Sequence, residues 1–92
     1  MAGFVGGSAW KMAEDIIGGY VLLSSSTLKP FELSDLRTLA FELDKLQRAI
    51  RGEEMDLNDM EGVKTRNRKI QRIGQALMVM RAHAMKRWKA TF

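Results

Sequence analysis

Two runs of apolar residues at helical spacing constrain the fold of this chain more than any other feature. The first lies within residues 36–50, where apolar residues are separated alternately by three and four positions. The second lies within residues 63–84, where they recur every seven positions with further apolar residues between them. This spacing is typical of a helix that packs along a partner helix. The stripe residues are Leu36, Leu39, Leu43, Leu46, Ile50, Val63, Ile70, Ile73, Leu77 and Met80.

One proline and one glycine set the expected boundaries of the first long helix. Pro30 suits the first turn of a helix, and Gly52 suits the position just after a helix end. The sequence therefore predicts a helix at about residues 30–51, with Ser34 as an alternative start to Pro30. With a second long helix at about residues 58–89, the chain is predicted to have an all-α fold centred on an antiparallel helical hairpin.

The second long helix has two competing start signals. Asn58 and Glu61 form one candidate capping box, whereas Asp56, with a methionine on either side, marks a candidate hydrophobic staple. Gly74 lies beside the apolar stripe, where its missing side chain would let another helix approach closely. A break at Gly74 is the alternative, because glycine costs about 1 kcal/mol relative to alanine inside a helix.

A shorter accessory helix is predicted at about residues 8–23. Ser8 suits its N-cap, where the side chain accepts a backbone N–H of the first turn. The Gly18–Gly19 pair weakens the helical pattern, so the helix can also end there and leave residues 20–24 extended. The Ser-Ser-Ser-Thr run at residues 24–27 is predicted to be a loop.

The chain is short for a stable monomer. Its 92 residues are predicted to form one helical domain, residues 1–92, with a flexible N-terminus at residues 1–7. A domain of this size buries only about 60–65% of its unfolded surface, and without cysteine no disulfide compensates. The second long helix is also longer than the first by about two turns or more. We therefore expect self-association to complete a helical bundle.

Charge is distributed unevenly along the chain. Residues 1–62 contain six Lys or Arg and eleven Asp or Glu, whereas residues 63–92 contain nine Lys or Arg and no acidic residue. Lys64, Arg68 and Arg72 are four positions apart and are predicted to form one ridge. Such a surface suits sequence-independent contacts with nucleic-acid phosphates. The predicted phosphate-contact face consists of Lys64, Arg66, Arg68, Lys69, Arg72, Arg81, Lys86, Arg87 and Lys89.

Two interpretations of this basic helix stay open. In the first, it binds nucleic acid, and Trp88, which lies between two cations, stacks on an unpaired base. In the second, it is a solvated face that acids of the first long helix, such as Glu42 and Asp44, partly neutralise. Because no recognisable nucleic-acid-binding motif accompanies the charge, nucleic acid is the alternative rather than the leading interpretation.

The remaining residue groups do not predict catalysis or metal binding. Five carboxylates lie in residues 53–61, but their spacing departs from that of a calcium-binding loop. His83 is the only histidine and is expected to be a surface or interface residue, because no cysteine is present to complete a zinc site. Met78 and Met85 lie off the stripe and are candidates for a second contact face. No enzyme activity, cofactor, metal site or small-molecule substrate is predicted.

Together these features predict a non-enzymatic protein-interaction or assembly protein that forms a homo-oligomer. RNA or DNA binding through the basic helix is the alternative function. Residues 1–7 lack a signal-peptide pattern, so a cytoplasmic location is expected. A cationic helix with a tryptophan can lie on an anionic membrane, but burial of the terminal aromatic residues against each other or a second subunit is favoured. Those residues are Phe4, Trp10, Trp88 and Phe92.

Overall fold

The computed structural model describes Phe4 and residues 7–91 of the chain. Within this part all regular secondary structure is helical, which confirms the predicted all-α class. The predicted flexible N-terminus falls largely on residues 1–3 and 5–6, which lie outside the described residues. The helices of the described part are α1 (Ala9–Ile17), α2 (Ser25–Leu28), α3 (Leu33–Gly52) and α4 (Met60–Trp88).

The two long helices, α3 and α4, pack against each other in antiparallel orientation. Arg87, near the end of α4, donates a hydrogen bond from Nη1 to the carbonyl oxygen of Phe31, just before α3, at 3.2 Å. The apolar stripes of both helices supply the core, as seven-residue repeats do in helix pairs. Of the stripe residues, Leu36, Leu39, Leu43, Ile50, Ile73, Leu77 and Met80 are buried, and Leu46, Val63 and Ile70 are half-buried.

The helix α3 begins at Leu33, close to the later of the two predicted starts. Its N-cap is Glu32, whose backbone N–H donates a hydrogen bond to Asp35 Oδ2 at 2.9 Å. The chain must turn first, because the N–H of Phe31 bonds the carbonyl oxygen of Leu28 at 3.1 Å. Pro30 lies inside this turn and not in the first turn of α3, so the role predicted for it is wrong.

Neither start signal predicted for α4 is used. The N-cap is Asp59, whose Oδ1 accepts a hydrogen bond from the N–H of Gly62 at 3.0 Å. A Cβ at Gly62 would lie 2.5 Å from Asp59 Oδ2, so the glycine makes room for the capping carboxylate. Asp56 instead accepts a hydrogen bond from the N–H of Asn58 at 2.9 Å, within the turn that precedes the helix.

Gly74 does not interrupt α4. The helix is continuous from Met60 to Trp88, so the alternative of a break is wrong. Gly74 is exposed, and a Cβ built on it would meet no neighbouring atom within 4 Å. The predicted close approach of another helix at this position therefore has no counterpart within the described residues.

The helix α1 ends at the Gly18–Gly19 pair. Its N-cap is Ser8, as predicted, and the serine Oγ accepts a first-turn backbone N–H at 3.1 Å. Gly19 has a φ of +83°, a conformation that residues with side chains rarely adopt, so the helix cannot continue through it. Residues 21–24 have no regular structure. The helix predicted at residues 8–23 is therefore too long, and the shorter alternative holds.

The segment predicted to be a loop at residues 24–27 forms most of α2 instead. Ser24 Oγ accepts a hydrogen bond from the N–H of Thr27 at 3.3 Å, and Thr27 Oγ1 accepts one from the N–H of Ser24 at 2.8 Å. This reciprocal capping stabilises a single helical turn. Leu28, at its end, is fully buried and anchors the turn in the core.

The helix α1 covers only the C-terminal part of α4. Ile17, the last residue of α1, lies beside Arg72, whose Nη1 donates a hydrogen bond to the Ile17 carbonyl oxygen at 2.9 Å. Phe4, which precedes α1, packs on Phe31 with ring centroids 5.6 Å apart, near the other end of α4. The helix α1 thus runs along α4 back to Arg72 and ends there. We call residues 60–72 the open segment of α4 and residues 73–88 its covered segment.

Candidate functional site

The apolar stripe of α4 extends past the elements that cover it. Six residues of the covered segment are buried, whereas the open segment contains no buried residue. Val63 and Ile70 continue the stripe there and are half-buried. Arg66 lies between them, at the position that Ile73 and Met80 occupy one and two heptads later. The open segment therefore has a packing face without a complete partner in the described part of the chain.

Besides Arg72, four cations of the predicted phosphate-contact face lie in the open segment. Lys64, Arg68 and Lys69 are exposed, and Arg66 is half-buried. None of the four forms an ion pair or a side-chain hydrogen bond within residues 7–91. The Nε atom of Arg66 is itself buried and has no hydrogen-bond partner there. The positive charge of this segment is thus not neutralised by contacts within the described chain.

Arg72 does not share the exposed ridge predicted for it. Besides its hydrogen bond to the Ile17 carbonyl oxygen, its guanidinium packs on the chain after α1, where a Cβ at Gly19 would lie 3.0 Å from the guanidinium carbon. A cation is favoured at this place, because carbonyl oxygens at a helix C-terminus carry partial negative charge. The predicted ridge reduces to Lys64 and Arg68.

Arg87 is also occupied by contacts within the fold. Its Nη1 donates hydrogen bonds to the carbonyl oxygens of Lys29 and Phe31, at 2.7 and 3.2 Å. Its guanidinium carbon lies 4.6 Å from the centroid of the Trp88 ring. These contacts fasten the end of α4 to the turn before α3. The other predicted phosphate-contact residues in this region, Arg81, Lys86 and Lys89, are exposed.

The acids of α3 do not pair with the basic helix. Asp44 forms an ion pair with Arg48 on its own helix. Glu42 is half-buried, and its Oε2 atom is buried without a hydrogen-bond partner among the described residues. Within that part of the chain, neither acid forms an ion pair with a cation of α4, so direct neutralisation by these two residues is not observed.

His83 is buried, so of the two positions predicted for it, surface or interface, the surface position is wrong. Its side chain is 9% exposed, and its ring meets that of Trp88 edge-on with centroids 5.7 Å apart. The Nε2 atom is buried and has no hydrogen-bond partner in residues 7–91. Burial, followed by the positive charges of Arg87 and Lys86, lowers the pKa of His83 below its ordinary value. The neutral form of the imidazole is therefore favoured.

The acidic cluster at residues 53–61 lies on the link between α3 and α4 and on the first turn of α4. All five carboxylates are exposed, and two of them, those of Asp56 and Asp59, accept backbone hydrogen bonds. Within the described chain no three His, Cys, Asp or Glu side chains are arranged to hold a metal ion. The cluster places negative charge directly beside the cations of the open segment.

Two methionines form an outward-facing apolar pair on the covered segment. Met78 and Met85 are 64% and 48% exposed, whereas Met80 on the stripe is fully buried. Gly74 precedes Met78 by one helical turn and has open space around it. This side of α4 remains a candidate second contact face.

Two of the terminal aromatic residues, Phe4 and Trp88, pack on other described residues of the chain. Phe4 packs on Phe31, and Trp88 is half-buried against His83 and the core. Trp10 is 52% exposed. Phe92 lies outside the described residues.

Comparisons with known proteins add no family to this description. No protein-family model, no curated protein and no solved structure matches the chain. Among the described residues, no helix is both long enough and apolar enough to cross a membrane. Functional inference therefore depends on the surfaces described above.

Proposed function

We propose that this chain is a non-enzymatic helical assembly protein that forms a homo-oligomer through the open segment of α4. The observation that supports this most directly is the apolar stripe that continues into the open segment, where Val63 and Ile70 are only half-buried. Leu57 and Met60, at the same end of the molecule, are 78% and 63% exposed. A second helix laid on these side chains would remove apolar surface from water, which stabilises by about 25 cal/mol per Å².

The charges at this end favour a second copy of the same chain as the occupant. Residues 53–61 carry five carboxylates and precede the four cations Lys64, Arg66, Arg68 and Lys69. In a two-fold dimer the same surface contacts itself in reverse order. Antiparallel pairing of two open segments would therefore set the acids of each copy against the cations of the other. It would also bring carboxylates toward the guanidinium of Arg66.

Light scattering over a range of protein concentrations tests the proposal. Wild-type protein should associate, and Lys64→Glu/Arg68→Glu should be monomeric, because acids would then face acids. Arg72 is left unchanged, since its substitution would also remove the hydrogen bond to α1. The matched control is Arg37→Glu/Lys45→Glu, which makes the same charge change at two exposed positions of α3 and should associate like wild type.

A mixing experiment separates pairing of opposite charges from a general effect of net charge. Glu53→Lys/Glu54→Lys makes this end of the molecule basic and should be monomeric alone. When mixed with Lys64→Glu/Arg68→Glu, it should form an equimolar complex, because the glutamates introduced in one variant then face the lysines introduced in the other. A wild-type protein that stays monomeric at millimolar concentration, or variants that do not combine, would contradict the proposal.

The second candidate function is binding of RNA or DNA through the same open segment. It is favoured by the three exposed cations Lys64, Arg68 and Lys69, which have no acidic partner within residues 7–91. Such binding would weaken steeply as salt rises, because phosphate contacts release counterions. Fluorescence anisotropy with a labelled single strand tests it. Equal affinity of wild type and Lys64→Glu/Arg68→Glu would exclude this surface as the nucleic-acid site.

A further inference from the structure

Three of the five residues that line a hollow at the C-terminal end of α4 are positively charged. The hollow has a volume of about 540 Å³ and is bounded by Ser25, Lys29, His83, Lys86 and Arg87. No carboxylate is among these lining residues. We infer that this hollow binds a phosphate-type oxyanion, either free phosphate or the phosphate group of a small organic molecule.

Arg87 is fixed in place before any ligand arrives. Its Nη1 atom is held by the carbonyl oxygens of Lys29 and Phe31, and its guanidinium lies over the ring of Trp88. Its Nε and Nη2 atoms form no hydrogen bond in the described part of the chain. A guanidinium already held by the fold loses little side-chain entropy when it binds, and its planar fork matches two oxygens of a phosphate.

The other donors around the hollow are also unoccupied. The side chains of Ser25, Lys29 and Lys86 are exposed and form no ion pair or hydrogen bond with other described residues. Two ammonium groups and one guanidinium repel each other when they surround one space. A phosphate monoester, with a charge of about −1.5 to −2 at neutral pH and three acceptor oxygens, relieves this repulsion and accepts their hydrogen bonds.

The pKa of His83 is expected to report whether an anion is bound in the hollow. The charged groups that face it across the hollow are Lys29, Lys86 and Arg87, and Trp88 packs against its ring. Without an anion, burial and the neighbouring positive charges keep the pKa of His83 lowered. A bound dianion opposes the effect of those charges, so the pKa of His83 should rise when the hollow is occupied.

The hollow is independent of the proposed assembly surface. Lys86 lies roughly 33 Å along the helix axis from Lys64 in the open segment, at 1.5 Å per residue. Loss of association in an open-segment variant therefore leaves the hollow unchanged, and the reverse holds as well.

NMR titration of the full chain with inorganic phosphate, at constant ionic strength set with chloride, tests the inference. Saturable shifts should concentrate on the lining residues, and the pKa of His83 should move upward. Lys29→Gln/Lys86→Gln should weaken phosphate binding at least tenfold. Arg37→Gln/Lys45→Gln removes the same charge from exposed positions of α3 and should change the affinity less than twofold. All substituted positions are exposed, so circular dichroism should show an unchanged fold.

Two results would overturn the inference. One is a shift pattern that chloride reproduces at equal ionic strength, and the other is an equal loss of affinity in both double variants. Either would mean general screening of a positive surface. A parallel titration with glycerol phosphate identifies the source of the phosphate group: tighter binding than inorganic phosphate assigns the hollow to an organic phosphate, and equal binding assigns it to the free ion.

Discussion

The two parts of α4 have the same apolar repeat and different surroundings. In the covered segment, residues 73–88, the repeat is buried by α1, α2 and α3, and it includes the fully buried Ile73 and Met80. In the open segment, residues 60–72, the repeat continues, but no residue is buried. The difference arises because α1 ends at Ile17, beside Arg72. A heptad pattern thus indicates that a surface is suited to burial, whereas the lengths of neighbouring helices decide whether it is buried.

The cations of α4 differ in the same way. Arg72 and Arg87, which lie where other elements meet the helix, donate hydrogen bonds to backbone carbonyl oxygens. Arg68 and Lys64, only one and two turns before Arg72, have no partner within residues 7–91. Cations that look equivalent in the sequence therefore differ in the structure. Arg72 and Arg87 stabilise the fold through hydrogen bonds, whereas Lys64 and Arg68 make no such contact within residues 7–91.

The largest expected effect is a loss of stability, and it distinguishes two isoleucines that lie three positions apart. Ile73→Ala should reduce the free energy of unfolding by about 2–5 kcal/mol, because Ile73 is fully buried and the substitution leaves a cavity. Ile70→Ala, at a half-buried position, should cost about 1 kcal/mol. Urea denaturation of dilute protein measures both values. Equal losses would mean that the open segment is as well covered as the rest of α4.

A smaller effect is expected when the hydrogen bond between α4 and α1 is removed. Arg72→Gln should destabilise the protein by about 1.5 kcal/mol, the lower end of the range for a hydrogen bond to a charged group, because Arg72 is half-buried. Arg68→Gln, one turn earlier and exposed, should change stability by less than about 0.5 kcal/mol. Chemical denaturation compares the two variants. If Arg68→Gln is the more harmful, the assignment of structural and free cations is reversed.

Substitution of the two glycines of α4 by alanine is expected to change the stability of the protein in opposite directions. Gly74→Ala should stabilise by about 1 kcal/mol, because the position is exposed and nothing crowds the added methyl group. Gly62→Ala should destabilise, since its Cβ would meet the carboxylate of Asp59 that caps the helix. Thermal denaturation measures whether each variant is more or less stable than wild type. A weaker oligomer in Gly74→Ala would show that a partner approaches the outward side of the covered segment.

The smallest expected effect is a pH dependence from His83. Its pKa is lowered in the folded protein relative to the ordinary value of 6.5, so the unfolded chain binds the proton more readily. The contribution of His83 to the free energy of unfolding should therefore be constant well above pH 6.5 and should fall as pH drops through 6.5 toward the folded pKa. His83→Gln should remove this slope, which denaturation at several pH values will detect. A slope that persists in His83→Gln would assign it to another group.

The sequence predicted the parts of the fold that depend on local periodicity. The paired leucines of α3 and the repeat of α4 indicated two long helices, and Ser8 indicated the start of α1. The start of α4 was missed because Asp59 caps it only where Gly62 leaves room for the carboxylate. The turn α2 was missed because Ser24 and Thr27 cap each other within four residues, too short a segment for a periodic signal.

The positions of the candidate site residues in the structure could be predicted less well from the sequence. Arg72 and Arg87 share the spacing of exposed cations, and only the position of distant carbonyl oxygens separates them from Arg68. His83 did have a usable signal: Ala76 and Val79 precede it at spacings of three and four, which marks a second apolar row beside the main stripe. Burial of that row required α1 and α2 to fold back along α4, and no local pattern encodes that arrangement.

Arg66 has a consequence for how helices can align on the open segment. It occupies a heptad position that is apolar one and two repeats later, at Ile73 and Met80. In paired helices a charged residue at such a position restricts the register and the number of strands, at some cost in stability. In the proposed dimer, a partner shifted by one heptad would move its carboxylates away from this guanidinium and enclose it among apolar side chains. Under the proposed pairing, Arg66 therefore favours one alignment and disfavours staggered, open-ended polymers of the chain.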